Sequence, residues 1–264
     1  MITRRNFLKN TITGVAALSL PLAAFELVDP KKLMASEAAN PSKVRWVFLV
    51  DTYKCMGCGF CVKACKLENE VPYDSNVTRT WVERYVTTKD GKSHADTPAV
   101  GGGRDGFTHS TFDLGQGKSL DIKKEDIEKA FFVPKLCNQC ENPPCVQVCP
   151  VGATYQTPDG VVLVDRSWCI GCGYCIMGCP YGVRFFHPVH HTAEKCNFCY
   201  HRITKGLTTA CVQACPFGAR QIGNLRDPND PVTKYIMTER VGVLKEEYGT
   251  KPQAFYIGLD REVK

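Results

Sequence analysis

Cys55-Met56-Gly57-Cys58-Gly59-Phe60-Cys61-Val62-Lys63-Ala64-Cys65 spaces four cysteines by three, three and four residues. The same spacing returns at Cys169-Ile170-Gly171-Cys172-Gly173-Tyr174-Cys175-Ile176-Met177-Gly178-Cys179. Two other quartets, Cys137, Cys140, Cys145, Cys149 and Cys196, Cys199, Cys211, Cys215, widen the middle gap but keep the opening C-x-x-C and the closing C-x-x-x-C. Together the four groups use all 16 cysteines of the 264-residue chain. Proline follows the last cysteine in three groups (Pro150, Pro180, Pro216), and Lys66 stands there in the first.

Three thiols on one short loop can reach three irons of a cube only if the backbone turns tightly. Gly57, Gly59, Gly171 and Gly173 permit that close approach, and the closing prolines end the following helical turn. C-x-x-C-x-x-C-x-x-x-C is the bacterial ferredoxin run for a [4Fe–4S] cluster. An even cysteine count also fits disulfides in an exported protein, but triplets on one loop serve bridges to distant partners poorly. Zinc in a four-cysteine site is an alternative for group four alone. No C-x-x-C-H occurs, so covalent c-type haem is not expected.

An internal repeat suggests how the groups pair. Val47 to Asp51 leads into group one as Val161 to Asp165 leads into group three, at a constant offset of 114. Cys145-Val146-Gln147-Val148-Cys149-Pro150-Val151-Gly152-Ala153 matches Cys211-Val212-Gln213-Ala214-Cys215-Pro216-Phe217-Gly218-Ala219 at an offset of 66. Residues 153–156 and 161–164 flank Pro158-Asp159-Gly160, a hairpin signal joining groups two and three. By the same logic, the strand around Arg220 to Ile222 should pair with Val44 to Val50, which brings groups four and one together. In two-cluster ferredoxins the fourth cysteine of each run ligates the other cluster. The expected ligand sets are therefore Cys55, Cys58, Cys61 with Cys215 (set 1) and Cys196, Cys199, Cys211 with Cys65 (set 2). Set 3 is Cys137, Cys140, Cys145 with Cys179, and set 4 is Cys169, Cys172, Cys175 with Cys149. Pairing group one with two and three with four stays open as an alternative, and Lys66 leaves the exit of group one least defined.

The fold class expected is α+β: two interleaved bacterial two-cluster ferredoxin-like modules with an inserted loop region and a C-terminal extension. Residues 44–71 plus 193–226 make the outer module and 135–192 the inner one. Residues 72–134 are the insertion, and 227–264 the extension.

Residues 1–38 read as an address. A basic head, Thr3-Arg4-Arg5-Asn6-Phe7-Leu8-Lys9, precedes an apolar run from Ile12 to Phe25 broken by Pro21. Its 14 residues are too few to span about 30 Å of hydrocarbon at about 1.5 Å per residue. The segment resembles a twin-arginine export signal, which carries proteins out already folded. Its cleavage point is open, Ser36-Glu37-Ala38 being one small-residue site. An uncleaved anchor or a basic tail is the alternative. No later apolar stretch is long enough for a membrane helix.

With these motifs in view, the chain resembles the four-cluster iron–sulfur subunit family of respiratory oxidoreductases, which includes the electron-transfer subunits of dimethyl sulfoxide, polysulfide and tetrathionate reductases and formate dehydrogenases. Leu136-Cys137-Asn138-Gln139-Cys140-Glu141-Asn142-Pro143-Pro144-Cys145 and Lys195-Cys196-Asn197-Phe198-Cys199-Tyr200-His201-Arg202 carry the resemblance most closely. It implies four [4Fe–4S] clusters, iron held by all sixteen cysteines, and no catalytic residue. It implies partners too: a membrane-integral quinone-interacting subunit, and a catalytic molybdoenzyme-like or multihaem cytochrome subunit. The export signal points to the exported branch, outside or on the outer face of the cytoplasmic membrane. A freely diffusing periplasmic polyferredoxin is one alternative, and a zinc-stabilised structural or nucleic-acid-binding module another.

Other features carry less. With 44% hydrophobic and 23% charged residues, the chain is neither disordered nor a multi-pass membrane protein. Its formal charge of +6 invites a nucleic-acid reading, but each oxidised cube with four thiolates adds about −2. Four sites bring the total to about −2, and that reading loses its support. Gly101-Gly102-Gly103-Arg104-Asp105-Gly106 fits G-x-G-x-x-G, yet lies in a polar stretch without the strand and helix a dinucleotide site needs. A loop covering a cluster or meeting a partner is expected there. Residues 121–130 read as a short solvated helix, and His187, His190 and His191 as a surface turn. Lys54, Lys63, Lys66, Lys135, Arg184, Lys195 and Arg202, near the quartets, could raise cluster potentials or form a docking face, and read as mostly solvated.

Overall fold

The computed structural model describes residues 43–98, 100–107, 112–113, 119–120, 122–260 and 262–263. The export-signal reading of residues 1–38 lies outside them. In the inserted region, β2 (Thr80–Thr88), β3 (Ser93–Asp96) and β6 (Ile127–Leu136) follow β1 (Trp46–Asp51), with the two-residue pair β4 (Phe112–Asp113) and β5 (Ser119–Leu120) between β3 and β6. The later strands are β7 (Thr154–Gln156), β8 (Val162–Val164), β9 (Phe185–Phe186), β10 (Ala193–Glu194), β11 (Arg220–Asn224), β12 (Val241–Gly242) and β13 (Ala254–Ile257). The helices are short: α1 (Phe60–Glu68), α2 (Pro144–Gln147), α3 (Tyr174–Met177), α4 (Tyr200–Ile203), α5 (Ala210–Gln213) and α6 (Pro231–Thr238). Among the described residues, no helix is long and apolar enough to cross a membrane.

Val47-Phe48-Leu49-Val50 is apolar on both faces, and β1 is correspondingly central and buried. It pairs antiparallel with β11, Val47 opposite Gly223 and Val50 opposite Arg220, as the repeat leads one to expect. Its other edge pairs parallel with β13, and β12 closes the sheet in the order β11-β1-β13-β12. Two strands of this sheet therefore come from the C-terminal extension. On one face, Val47, Leu49 and Ile257 pack on Val232 of α6. Asp230 caps that helix, its Oδ1 accepting from Val232 N at 2.8 Å and Thr233 N at 3.2 Å. On the other face, Phe48, Val50 and Tyr256 join the cysteine-bearing core.

The hairpin between groups two and three is present, with Thr154 of β7 opposite Val164 of β8. Its turn docks on the start of β1, where Trp46 Nε1 donates to Asp159 Oδ2 at 2.9 Å.

The insertion differs from expectation. Instead of a loop, it builds a three-stranded antiparallel sheet in the order β3-β2-β6. Within 121–130, Asp121 lies outside the described residues, Ile122 and Lys123 are irregular, Lys124–Asp126 makes a single tight turn, and residues 127–130 are strand. Val86 faces Ala130 and Thr87 faces Lys129. Ladder bonds to β2 outweigh the weak helical preference of a segment too short to sustain an isolated helix.

Candidate metal centres

Each cysteine group begins with a backbone turn in the left-handed region. Gly59 (φ 75°) and Gly173 (φ 79°) open α1 and α3 in that conformation. Groups two and four have no such glycine, and Gln139, Phe198 and Cys199 adopt φ of 46°, 52° and 49° instead. Such residues cost about 1 kcal/mol or more each and persist only where the surroundings hold them. Buried Gln139 donates from Nε2 to Cys196 O and accepts at Oε1 from Val162 N, both at 2.7 Å. Phe198 packs on Phe48, ring centroids 5.5 Å apart. Gln139 thus ties the loop of group two to that of group four.

The step after the last cysteine decides where each helix ends. Proline at 180 goes with an α3 that stops at Met177, whereas α1 runs through Cys65 to Glu68. Lys66, in the proline's place, is 1% exposed. Its Nζ donates to Ser75 O (2.6 Å), Val77 O (2.8 Å) and Pro72 O (3.2 Å), fixing the exit of group one.

The cysteines gather across groups. Cys55, Cys58, Cys61 and Cys215 line one cavity of about 320 Å³. Cys65, Cys196, Cys199 and Cys211 line a second of about 290 Å³. Cys137, Cys140, Cys145 and Cys179 line a third of about 350 Å³. Around Cys175, the neighbouring thiols include Cys145, Cys169 and Cys149. Cys172 is exposed at this end. The four gatherings follow one another. Cys61 and Cys65 share α1, which packs on α5, the helix that carries Cys211 and leads to Cys215. Cys196 lies close to Cys137, and α2, leading to Cys149, packs on α3, leading to Cys179.

Electrostatics favour a positively charged occupant. Burial pushes Cys61 up to about 11, and Cys140 and Cys196 up to about 12, with neighbouring thiols adding to the rise. Such crowded thiols ionise only against positive charge, which iron supplies. Backbone donors help: Thr154 N reaches Cys149 Sγ and Ala193 N reaches Cys169 Sγ, each at 3.4 Å. Burial raises Cys149, but amides of residues 151, 153 and 154 outweigh it and hold the thiol below its ordinary value.

Four of the seven basic residues read as solvated depart from that reading: Lys66, Lys135, Arg184 and Lys195 are buried, while Lys54 is exposed and Lys63 and Arg202 are half-buried. Arg79 and Arg220, which the cysteine motifs alone do not single out, are buried too. Glu83 pairs with Lys135 at 3.3 Å and Glu194 with Arg79 at 3.0 Å, carbonyls take up Lys66 and Lys195, and clusters of net negative charge supply the counter-charge for Arg184 and Arg220. The signal for Arg220 was present in the repeat, because Arg184 and Arg220 each stand five residues after a closing cysteine. His187 is also buried rather than in a surface turn, its Nε2 3.2 Å from Glu70 O. The glycine-rich loop packs on group one, where Phe107 N donates to Gly57 O at 3.1 Å. A methyl group on Gly106 would lie 2.6 Å from the Cys58 carbonyl carbon.

The donor sets fit iron–sulfur cubes. Among the described residues, buried Arg79 Nε, Arg184 Nε and Nη1, Arg220 Nη2 and Asn138 Nδ2 have no hydrogen-bond partner, and these residues line the cysteine cavities. Among the described residues, no three Cys, His, Asp or Glu side chains converge as a single-ion site. The geometry defines a multi-cluster iron–sulfur protein.

Comparison with known proteins narrows the class. Two 4Fe-4S dicluster domain models match, over residues 54–153 and 128–225. The chain is 38% identical to a Salmonella typhimurium protein named as a tetrathionate reductase subunit, across 98% of this chain and 89% of that one. An Archaeoglobus fulgidus protein of the same name is 41% identical, across 81% of this chain and 83% of its own. A second Archaeoglobus fulgidus protein, named as an iron-sulfur subunit of an Hdr-like menaquinol oxidoreductase, is 31% identical across 99% of this chain and all of its own. The chain belongs to the family of iron–sulfur electron-transfer subunits of respiratory oxidoreductases. It carries four [4Fe–4S] clusters and passes electrons between partners in a reductase complex, with no catalytic role of its own.

Proposed function

We propose that this subunit relays electrons between a quinone-linked membrane subunit and a catalytic molybdoenzyme-like or multihaem cytochrome subunit, in a complex exported to the outer face of the cytoplasmic membrane. The linear succession of four cysteine sets carries the proposal. The clusters supply one-electron carriers, and the cysteines of sets 1 to 4 hold them in that order. The cysteines of set 2 are all buried, whereas both ends of the series approach the surface. Exposed apolar residues lie at each end: Met56, Phe60 and Phe217 around set 1, and Trp168, Ile170, Tyr174 and Met177 around set 4. Such residues mark contact surfaces, which an electron relay needs at both termini.

The ligand sets are Cys55, Cys58, Cys61, Cys215; Cys65, Cys196, Cys199, Cys211; Cys137, Cys140, Cys145, Cys179; and Cys149, Cys169, Cys172, Cys175. Residues 44–71 with 193–226 form an outer module that closes around the inner module 135–192. The β1–β11 ladder supports this interleaving. Arg4-Arg5 at the head of the signal segment supports twin-arginine export, and the relative with menaquinol in its name supports a quinone-linked partner. The test is mild solubilisation of membranes from the native organism, followed by purification of a tagged chain. Co-purification of a membrane-integral subunit and a second redox subunit, with the tag accessible from outside, sustains the proposal. A brown chain that purifies alone from the soluble fraction would establish a diffusing polyferredoxin instead.

A further inference from the structure

The repeat that sets the cysteines also sets two arginines. Arg184 and Arg220 each follow a closing cysteine by five residues, in Cys179-Pro180-Tyr181-Gly182-Val183-Arg184 and Cys215-Pro216-Phe217-Gly218-Ala219-Arg220. Arg184 lines the cavity containing Cys179, and Arg220 the cavity containing Cys215. Their exposures are 5% and 2%. Each makes one side-chain hydrogen bond, to a threonine: Arg184 Nη2 to Thr154 Oγ1 at 3.1 Å, and Arg220 Nη1 to Thr80 Oγ1 at 2.9 Å. The remaining buried nitrogens, Nε and Nη1 of Arg184 and Nη2 of Arg220, have no hydrogen-bond partner among the described residues.

Arg79 in the second cavity is different. It too is buried, but Glu194 neutralises it at 3.0 Å. In group two the fifth position after Cys149 is Thr154, a hydroxyl in place of a guanidinium. Among the described residues, no carboxylate forms an ion pair with Arg184 or Arg220; Arg220 faces Cys55, Cys61 and Cys211 and the Tyr256 hydroxyl, and Arg184 faces Cys175 beside the set 3 cavity it lines.

We propose that Arg184 and Arg220 are fixed counter-charges that raise the reduction potentials of the clusters beside them, Arg220 chiefly that of set 1 and Arg184 those of sets 3 and 4. The inference rests on the ligand sets above. Reduction adds one electron to a site already bearing net negative charge, and no bond forms or breaks. A buried cation beside the site favours the reduced form, and the low local dielectric strengthens the effect. The arginines are positioning residues: they touch no substrate and set the driving force of a step.

Redox titration of the purified holoprotein, poised with dithionite through mediator dyes and followed by electron paramagnetic resonance, tests this. In Arg220→Gln one of four potentials should fall, changing the oxidised-to-reduced ratio at fixed potential at least tenfold, about 59 mV for one electron. Arg184→Gln should lower two different ones, and Arg220→Lys should keep the parental value. If neither glutamine variant lowers a potential, the inference is wrong. If both lower the same one, the assignment to separate sets fails while the charge effect stands. Should Arg220→Gln not assemble, Arg220→Lys decides: parental potentials in the lysine variant sustain the role of charge. Loss of clusters there too would assign Arg220 a purely structural role.

Discussion

Replacing Lys66 by methionine tests how group one leaves its cluster without the proline the other groups use. Methionine keeps the volume and the helix but removes the ammonium that donates to Ser75 O, Val77 O and Pro72 O. Pro72 O retains the Ser75 hydroxyl as donor at 2.7 Å. The carbonyls of Ser75 and Val77 lose their main partner, and an unsatisfied buried acceptor costs about 1–3 kcal/mol. Relief of the lysine's own burial offsets part of that. A net cost of about 3 kcal/mol corresponds to about 6–12 °C in melting temperature for a chain of this size. The assay is thermal loss of the visible absorption of the clusters at fixed scan rate, with limited proteolysis at 72–77 read alongside. We expect earlier bleaching and a new cleavage in that segment. A shift below about 2 °C with the segment still resistant would show that Lys66 does not hold this exit.

Glu194 predicts a pH effect. Burial raises its carboxyl, but Arg79 and Arg166 outweigh burial and hold it below the ordinary carboxylate value. A depressed folded value means its stabilisation is full above the unfolded value of about 4.3 and is lost as pH falls through the folded one. Glu194→Gln should therefore melt lower at pH 7, by about 3 kcal/mol for a broken buried pair, and converge on the parent in acid. A constant offset in melting temperature across pH 3 to 7 would contradict this. Gly106→Ala should lift the glycine-rich loop off group one and release the first irons to a chelator several-fold faster. Gly91→Ala, whose added carbon meets nothing within 4 Å, should release iron at the parental rate. Trp168→Asp with Ile170→Asp should weaken partner co-purification while iron content is unchanged; undiminished co-purification would remove this face from the interface.

Short-range signals made much of the molecule legible. The cysteine spacing and the repeat at offsets of 114 and 66 pointed to four cysteine gatherings, to the β7–β8 hairpin and to the β1–β11 pairing. The sheet β3-β2-β6 was missed because its evidence is tertiary. Residues 127–130 look helical alone and become strand only beside β2. A better reading was available in Thr80-Trp81-Val82-Glu83-Arg84-Tyr85-Val86-Thr87-Thr88, rich in β-branched and aromatic residues and followed by the Asp90-Gly91 turn. The buried cations were misread for a related reason. A lysine or arginine is normally solvated, and its burial needs a partner that lies far away in sequence: Glu194 for Arg79, Glu83 for Lys135, and the negative charge of the clusters for Arg184 and Arg220.

Each cluster draws its ligands from two cysteine groups, and iron counting in paired cysteine variants reads this out. Four cubes hold about sixteen irons. If Cys58 and Cys215 serve one cluster, Cys58→Ala with Cys215→Ala should retain about twelve irons, no fewer than either single variant. Cys58→Ala with Cys65→Ala should strike two clusters and retain about eight. The reverse result, about eight for the first pair and about twelve for the second, would contradict the account.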